Sequence, residues 1–175
     1  FDDILDEQLQ VNNILGDSNV FEMKNEQYYI IPELASREKL KYYGCNMYNI
    51  NENINIEKTN LYLLKTSENY MDDYIYNKHY GNGIYLEYFD FDRVIITNNK
   101  TKGYLLLCSK KSSISYYISA FILPKNTCII IPKNTIHSDC FLYGECITSY
   151  NITKNYSTSH LHYLKKLVKF NMISI

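Results

Sequence analysis

The spacing of apolar residues changes character near residue 61. Ahead of it, residues 2–15 set Ile4, Leu5, Leu9, Val11, Ile14 and Leu15 behind an Asp pair, with Gly16 following, which predicts a short amphipathic helix and a stop signal. Residues 28–32 have the composition of a strand. Residues 33–43 have helical spacing and end at Gly44, where a left-handed cap would sit. Residues 49–60 alternate on paper, but Asn fills many of the polar positions and favours turns over strands, so a surface loop is expected. From residue 61 the apolar runs become short and β-rich: 61–64, 84–97, 104–108, 114–123, 128–131, 136–142 and 146–152. Turn chemistry separates them at Gly81-Asn82-Gly83, Asn98-Asn99-Lys100, 110–113 and 124–127, a rhythm that predicts a sandwich or small barrel. A second amphipathic helix is expected over 157–175, capped by Ser157, Thr158 or Ser159, with Leu161, Leu164, Leu167 and Val168 as its stripe and Lys165, Lys166 and Lys169 outside.

The chain therefore reads as one mainly β domain: an N-terminal helical and strand segment (1–60) packing on a β-barrel (61–156), closed by a C-terminal helix (157–175). Its 175 residues suit a single core. With 18 Lys plus Arg against 19 Asp plus Glu, no net field attracts nucleic acid or an anionic membrane, and neither is expected as a partner. No apolar run reaches the roughly 18 to 20 residues of a spanning helix. The chain holds 20 Asn, 22 Ile, 16 Lys and 19 Tyr but only 2 Ala, 2 Arg and no Trp, a bias toward residues with A/T-rich codons. Clusters of Asn, Tyr or Lys are accordingly weak evidence of a site.

The five cysteines (Cys45, Cys108, Cys128, Cys140, Cys146) form an odd set without a C-x-x-C pair, which predicts reduced, buried thiols and an intracellular, reducing compartment. The start, Phe1-Asp2-Asp3-Ile4, has neither Met nor a signal-peptide pattern and reads as a processed product or fragment, cytoplasmic or organellar after loss of a targeting segment.

The tetrapeptide Pro-Lys-Asn-Thr occurs at 124–127 and again at 132–135, around the apolar run 128–131. Each copy signals a turn, because Pro fixes φ and Asn tolerates a left-handed backbone. The second copy leads to His137, and here the segment resembles the second motif of the cupin superfamily: Gly, five residues, Pro, one residue, Gly, two residues, His, three residues, Asn. Asn126, Pro132, Asn134 and His137 fall on that frame, with Asn for both glycines and Phe141 for the final Asn. The first cupin motif, laid from Gly83, reaches Gly103 but lands on Phe89, Phe91 and Ile96 where the resemblance implies His, His and Glu ligands. Such side chains cannot hold a transition metal, and they are expected to fill the space that a metal and substrate would use. No metal and no cofactor are expected. A fainter resemblance to ureidoglycolate lyases rests on residues 36–44 and on Ser119-Ala120-Phe121-Ile122.

Glu87 alternates with Phe89 and Phe91 and is expected on their inward face, where a carboxyl among apolar rings would have a raised pKa and could exchange protons with His137. Asp90 and Asp92 fall on the opposite face and read as solvated. His79 reads as an exposed loop residue. His160 and His162, placed on the expected helix, diverge by about 200° and would share no metal. Taken together, these residues predict a cupin-like jelly-roll that has lost metal-dependent catalysis and serves as a binding or structural subunit, homo-oligomeric or within a larger assembly, with room for a small-molecule ligand. The alternative is a lyase or isomerase acting on a small carboxylated substrate through Glu87 and His137, with His79 as a further candidate, either without metal or with one held by other residues. A sandwich with coincidental motif spacing is the third reading.

Overall fold

The computed structural model describes residues 3–5, 19–56, 59–112, 115–150 and 156–174. The first half contributes β1 (Asp3–Leu5), β2 (Asn19–Glu22), β3 (Gln27–Ile30), β4 (Glu33–Leu34), helix α1 (Arg37–Lys41), β5 (Asn46–Asn49) and β6 (Asn60–Thr66). A π-helical turn, Met71–Ile75, then precedes β7 (Tyr85–Phe89), β8 (Arg93–Gly103), β9 (Leu105–Lys110), β10 (Tyr116–Ile122), β11 (Thr127–Ile131), β12 (Ile136–Ser138) and β13 (Leu142–Tyr150). The chain ends in β14 (Tyr156–Tyr163), β15 (Lys166–Leu167) and β16 (Lys169–Met172).

Hydrogen bonding orders these strands into three sheets. The largest runs β1-β10-β9-β12-β7-β14-β15, with β2 also on β14 and β4 also on β10; the second runs β5-β11-β8-β13-β6; β3 and β16 form a pair. No sheet closes on itself among the described residues. The eight consecutive strands β6 to β13 split between the two larger sheets, as β6-β13-β8-β11 and β7-β12-β9-β10, every pair antiparallel.

Strand alternation gives the large sheet two apolar faces. On β9, Leu105 and Leu107 join a core with Ile95, Ile129 and Ile131 of the second sheet, whereas Leu106 and Cys108 join another with Tyr28, Ile30 and Phe170 of the β3–β16 pair. The large sheet is thus covered on both sides.

Several sequence expectations meet their structure here. The 33–43 helix contracts to α1, capped by the Ser36 hydroxyl accepting the Lys39 N–H at 3.2 Å, because Glu33–Leu34 pairs with β10 instead. Gly44 takes the expected left-handed conformation, as do Gly83, Gly103, Asn126 and Asn134. The expected turn at 98–100 is instead continuous strand within β8. At the N-terminus residues 3–5 form a strand on β10, not helix, and the remainder of the expected 2–15 helix lies outside the described residues. Within the described part of 1–60, β1, β2, β4 and β5 are each hydrogen-bonded into the larger sheets. All five cysteines are free thiols, four of them buried.

The C-terminal helix is also corrected: residues 157–172 belong to β14, β15 and β16 and the turns between them. Ser157, Ser159 and Leu161 are buried on alternate positions, a period of two that the Leu spacing had masked. Leu164 and Lys165 form a two-residue hairpin loop, both with positive φ (47° and 66°). That geometry suits Asn-Gly, and nothing in Leu-Lys announces it. The exposed Leu164 is held there by its N–H donating to Glu22 at 2.7 Å, and the Lys165 carbonyl accepts from Lys78 at 3.1 Å. Replacing Leu164-Lys165 by Asn-Gly should raise stability by about 1 kcal/mol, since it relieves two left-handed residues. Urea denaturation measures this, and an unchanged or lower midpoint refutes the strain.

Candidate functional site

The site is built where the chain crosses between the facing sheets. β7 belongs to the large sheet and β8 to the second, and a bend at 90–92 joins them. The second Pro-Lys-Asn-Thr turn pins this bend. Asn134 N–H donates to the Phe89 carbonyl at 2.7 Å, and Lys133 N–H donates to the Asp92 carboxylate at 2.9 Å. Asp90 and Asp92 are exposed, as their alternation implied. The first copy does different work, receiving the Ile50 N–H on its Asn126 carbonyl at 3.0 Å.

The pinned bend delivers Arg93, only 7% exposed, as the first residue of β8. Its side chain reaches back across the gap to the large sheet. Nη1 lies 3.3 Å from a Glu87 oxygen and 3.2 Å from His137 Nε2, Nη2 donates to Asp139 at 2.5 Å, and Nε donates to the Thr148 hydroxyl at 3.2 Å. Glu87 and His137 are cross-strand neighbours on β7 and β12, which brings together the two residues singled out from the sequence. Asp139 follows β12 in the loop to β13 and also accepts from the Tyr85 hydroxyl.

These contacts fix the protonation states. His137 Nδ1 lies 2.9 Å from the Thr135 carbonyl, so Nδ1 carries the proton and Nε2 accepts from Arg93. Burial first, then the adjacent guanidinium, pull its pKa down to about 4. Two carboxyls share one cation, and they divide unequally. For Asp139 burial opposes ionisation, but Arg93 and the Tyr85 hydroxyl overcome it and hold its pKa near about 2. Glu87 has the longer contact to Arg93 and no hydroxyl donor; burial and the Asp139 charge push it up to about 8. Near neutral pH the cluster thus consists of Arg93 cation, Asp139 anion, neutral His137 and mostly protonated Glu87.

A cavity of about 630 Å³ opens beside this cluster, walled by Leu63, Leu64, Phe89 and Phe91 with Glu87, Arg93 and Thr148 at its polar end. Phe89 and Phe91 stack at 4.9 Å, and Phe89 lies 5.7 Å from the His137 ring. The phenyl rings therefore line open space, correcting the expectation that they fill it. Ile96 is displaced from its expected role. Its neighbour Ile95 faces the inner core, so alternation turns Ile96 to the outer face, and it lines no part of this cavity. A second pocket, about 470 Å³, also has Glu87 in its wall, together with Tyr70, Tyr74, Tyr80, Tyr85, Thr158 and His160 among others. Glu87 is the acid common to both; His137 lines neither.

The residues do not fit the metal that a cupin resemblance implies. Phe89, Phe91 and Ile96 offer no donor atoms, and both His137 nitrogens are already engaged, one of them by a cation. No group of three or more His, Cys, Asp or Glu side chains suited to a metal occurs among the described residues. His160 and His162 lie two apart on strand β14, not on a helix, but each ring nitrogen contacts a carbonyl of the Asn82-Gly83 turn, at 3.4 and 2.9 Å. His79 is exposed, as expected, and lines neither cavity.

Sequence reasoning missed Arg93, Asp139, Tyr85 and Thr148. One signal was present: the chain has 16 Lys but only 2 Arg, which singles out Arg93 and the exposed Arg37 as positions to inspect, without choosing between them. Comparison of the chain with protein-family models, curated proteins and solved structures returns no match.

Proposed function

We propose that the chain is a cupin-like jelly-roll protein that works without a catalytic metal and binds a small ligand, or serves as a structural subunit, through the cavity above Glu87 and Arg93. Two facts of topology support the fold reading: strands β6 to β13 divide between two sheets in the order of interleaved Greek keys, and the Gly83, Gly103, Asn126 and Asn134 turns have left-handed geometry. The observation that carries the functional reading is the surround of Arg93. Two carboxyls, an imidazole nitrogen and a hydroxyl converge on one buried guanidinium, so a cation covalently part of the chain takes up the donors that a bound metal would need. With Glu87 protonated the cluster is close to neutral, and apart from Ser149 the remaining walls are aliphatic and aromatic. A small, largely apolar ligand with a hydrogen-bonding head toward Glu87 matches that lining.

Metal analysis of the purified protein tests this. The expected content of Fe, Mn, Zn, Ni and Cu is far below one atom per chain and unchanged in His137→Ala; one tightly held metal per chain that is lost in that variant overturns the proposal. A second reading, a metal-independent lyase or isomerase, draws on one observation: Glu87 holds a proton near neutral pH and lines both cavities. It is the weaker of the two, because His137 is locked between Thr135 and Arg93 and touches neither cavity. Turnover of a small carboxylated substrate that Glu87→Gln abolishes would favour it.

A further inference from the structure

The second pocket has a construction of its own. Tyr70, Tyr74 and Tyr80 form a ladder of parallel rings, 5.3 Å and 6.1 Å between centroids, with planes within 10° and 9° of each other. Among buried pairs, Phe21–Tyr116, Tyr28–Phe170 and Tyr43–Phe121 meet edge-on at 72° to 79°, while Phe141–Phe170 is parallel at 6.4 Å but wholly inside the core. The ladder instead leaves Tyr74 and Tyr80 44% and 66% exposed beside the pocket.

The backbone holds these rings in place. Tyr74 belongs to the π-helical turn, a distortion often found at functional sites. Gly81 closes against it so tightly that a Cβ would lie 2.7 Å from both Ile75 Cα and the Tyr74 carbonyl oxygen. The Gly81 and Gly83 N–H groups donate to the carbonyls of Tyr74 and Ile75 at 2.9 and 2.7 Å. Glu87, Thr158 and His160, from β7 and its neighbour β14, also line the pocket.

We propose that this pocket binds a neutral planar heterocycle, stacked on the Tyr70–Tyr74–Tyr80 ladder and engaged through a lactam edge by the Glu87 carboxyl. A flat ring extends a parallel stack. A lactam presents N–H beside C=O, and a protonated carboxyl presents C=O beside O–H, so the two edges pair through two hydrogen bonds. Asp139 and Arg93 offset each other's charge at this wall, so no unpaired cation is offered there to a phosphate or carboxylate. At about 470 Å³ the pocket suits a nucleobase or nucleoside.

Calorimetric titration with uridine and inosine, with 3-methyluridine as the edge-blocked control and glucose as the non-planar one, tests the proposal. At least one lactam nucleoside is expected to bind, with Tyr80→Ala weakening it about 5- to 150-fold, the usual worth of one base-stacking aromatic, and Tyr80→Phe retaining it. Blocking the ring N–H should weaken binding at least as much. Absence of binding by both nucleosides at millimolar concentration, equal binding of 3-methyluridine, indifference to Tyr80→Ala, or glucose binding with the same Tyr80 dependence each overturns it. Although Glu87 lines both cavities, the inference does not require the larger one to be occupied: Leu63→Trp, which obstructs that cavity at a residue outside this pocket's lining, should leave nucleoside binding unchanged.

Discussion

Replacing Arg93 by Met is expected to destabilise the protein by about 3 to 5 kcal/mol, because it leaves the Asp139 charge, with only 20% of its side chain exposed, without its cation. For a chain of this size that corresponds to a fall in Tm of about 6 to 20 °C. The loss does not come chiefly from the Coulomb attraction of the pair. Desolvation of three ionisable groups consumes much of that attraction, and what the substitution exposes is a carboxylate with only the Tyr85 hydroxyl left to it. The triple variant Arg93→Met, Glu87→Gln, Asp139→Asn should therefore recover much of the loss, since it removes the stranded charge together with the cation. Thermal and urea unfolding of the single and triple variants checks both statements. A loss under about 1 kcal/mol for Arg93→Met, or a triple variant no better than the single one, would show that the cluster is not a buried ionic unit. Arg93→Lys should not rescue, because an ammonium cannot reach Glu87, His137, Asp139 and Thr148 from one planar fork.

Stability should also be flat with pH between about 4.5 and 6.5 and decline on either side. Three linked groups set this window. Asp139 and His137 have folded-state pKa values below their ordinary ones, near about 2 and about 4, so each contributes stability that is present above its unfolded pKa and lost as pH falls through the folded one. Glu87 acts in the other direction. Its folded pKa is raised to about 8, so its contribution is full below the unfolded pKa of 4.5 and is lost as pH rises through 8. Between about pH 4.5 and 6.5 the unfolded chain gains on His137 what it lacks on Glu87, and the two slopes oppose each other. Above 6.5 only the Glu87 slope remains within this cluster. Glu87→Gln, which keeps the carbonyl that accepts from Arg93 and cannot ionise, should remove the alkaline decline and be more stable than the parent at pH 8 by about 1 to 2 kcal/mol. Urea midpoints of parent and variant from pH 4 to 9 measure it; an alkaline decline that persists in the variant assigns the effect to another group.

The β-rich centre of the chain was legible because turns and strands there follow local rules. Asn126 and Asn134 take left-handed geometry for the reason that their side chains allow it, and the 128–131 run is a buried strand. Glu87 and His137 were legible as inward residues from a period of two and from the spacing to Pro132. Arg93 was not, because its importance depends on a bend that carries the chain from one sheet to the other, and no residue at 90–92 states where that bend points. Ile96 was misplaced because the motif spacing, not alternation, assigned it: counted by two from Phe89 and Phe91 it falls on the opposite face, as it does in β8. At the C-terminus, Leu161, Leu164, Leu167 and Val168 fit a helical stripe as well as a strand. The decisive event, a hairpin loop made of Leu164 and Lys165, is stabilised by Glu22 and Lys78, residues 142 and 87 positions away. Only tertiary contacts could reveal it.

The large sheet is a single partition with an oily chamber on each side. β9 lies within it, hydrogen-bonded to β10 and β12, and its Leu105, Leu106, Leu107 and Cys108 face the chambers alternately. Withdrawing the β3–β16 pair would wet one chamber, yet the strands so exposed are the same strands that roof the other and carry His137 and Glu87. Neither chamber can open as a separate subdomain, and local fluctuation is confined to edges such as β6, whose side chains are exposed over nearly all its length. The cavity-facing wall and the far side of the sheet are consequently expected to melt as one cooperative unit, so that a substitution behind the sheet can loosen the cavity in front of it.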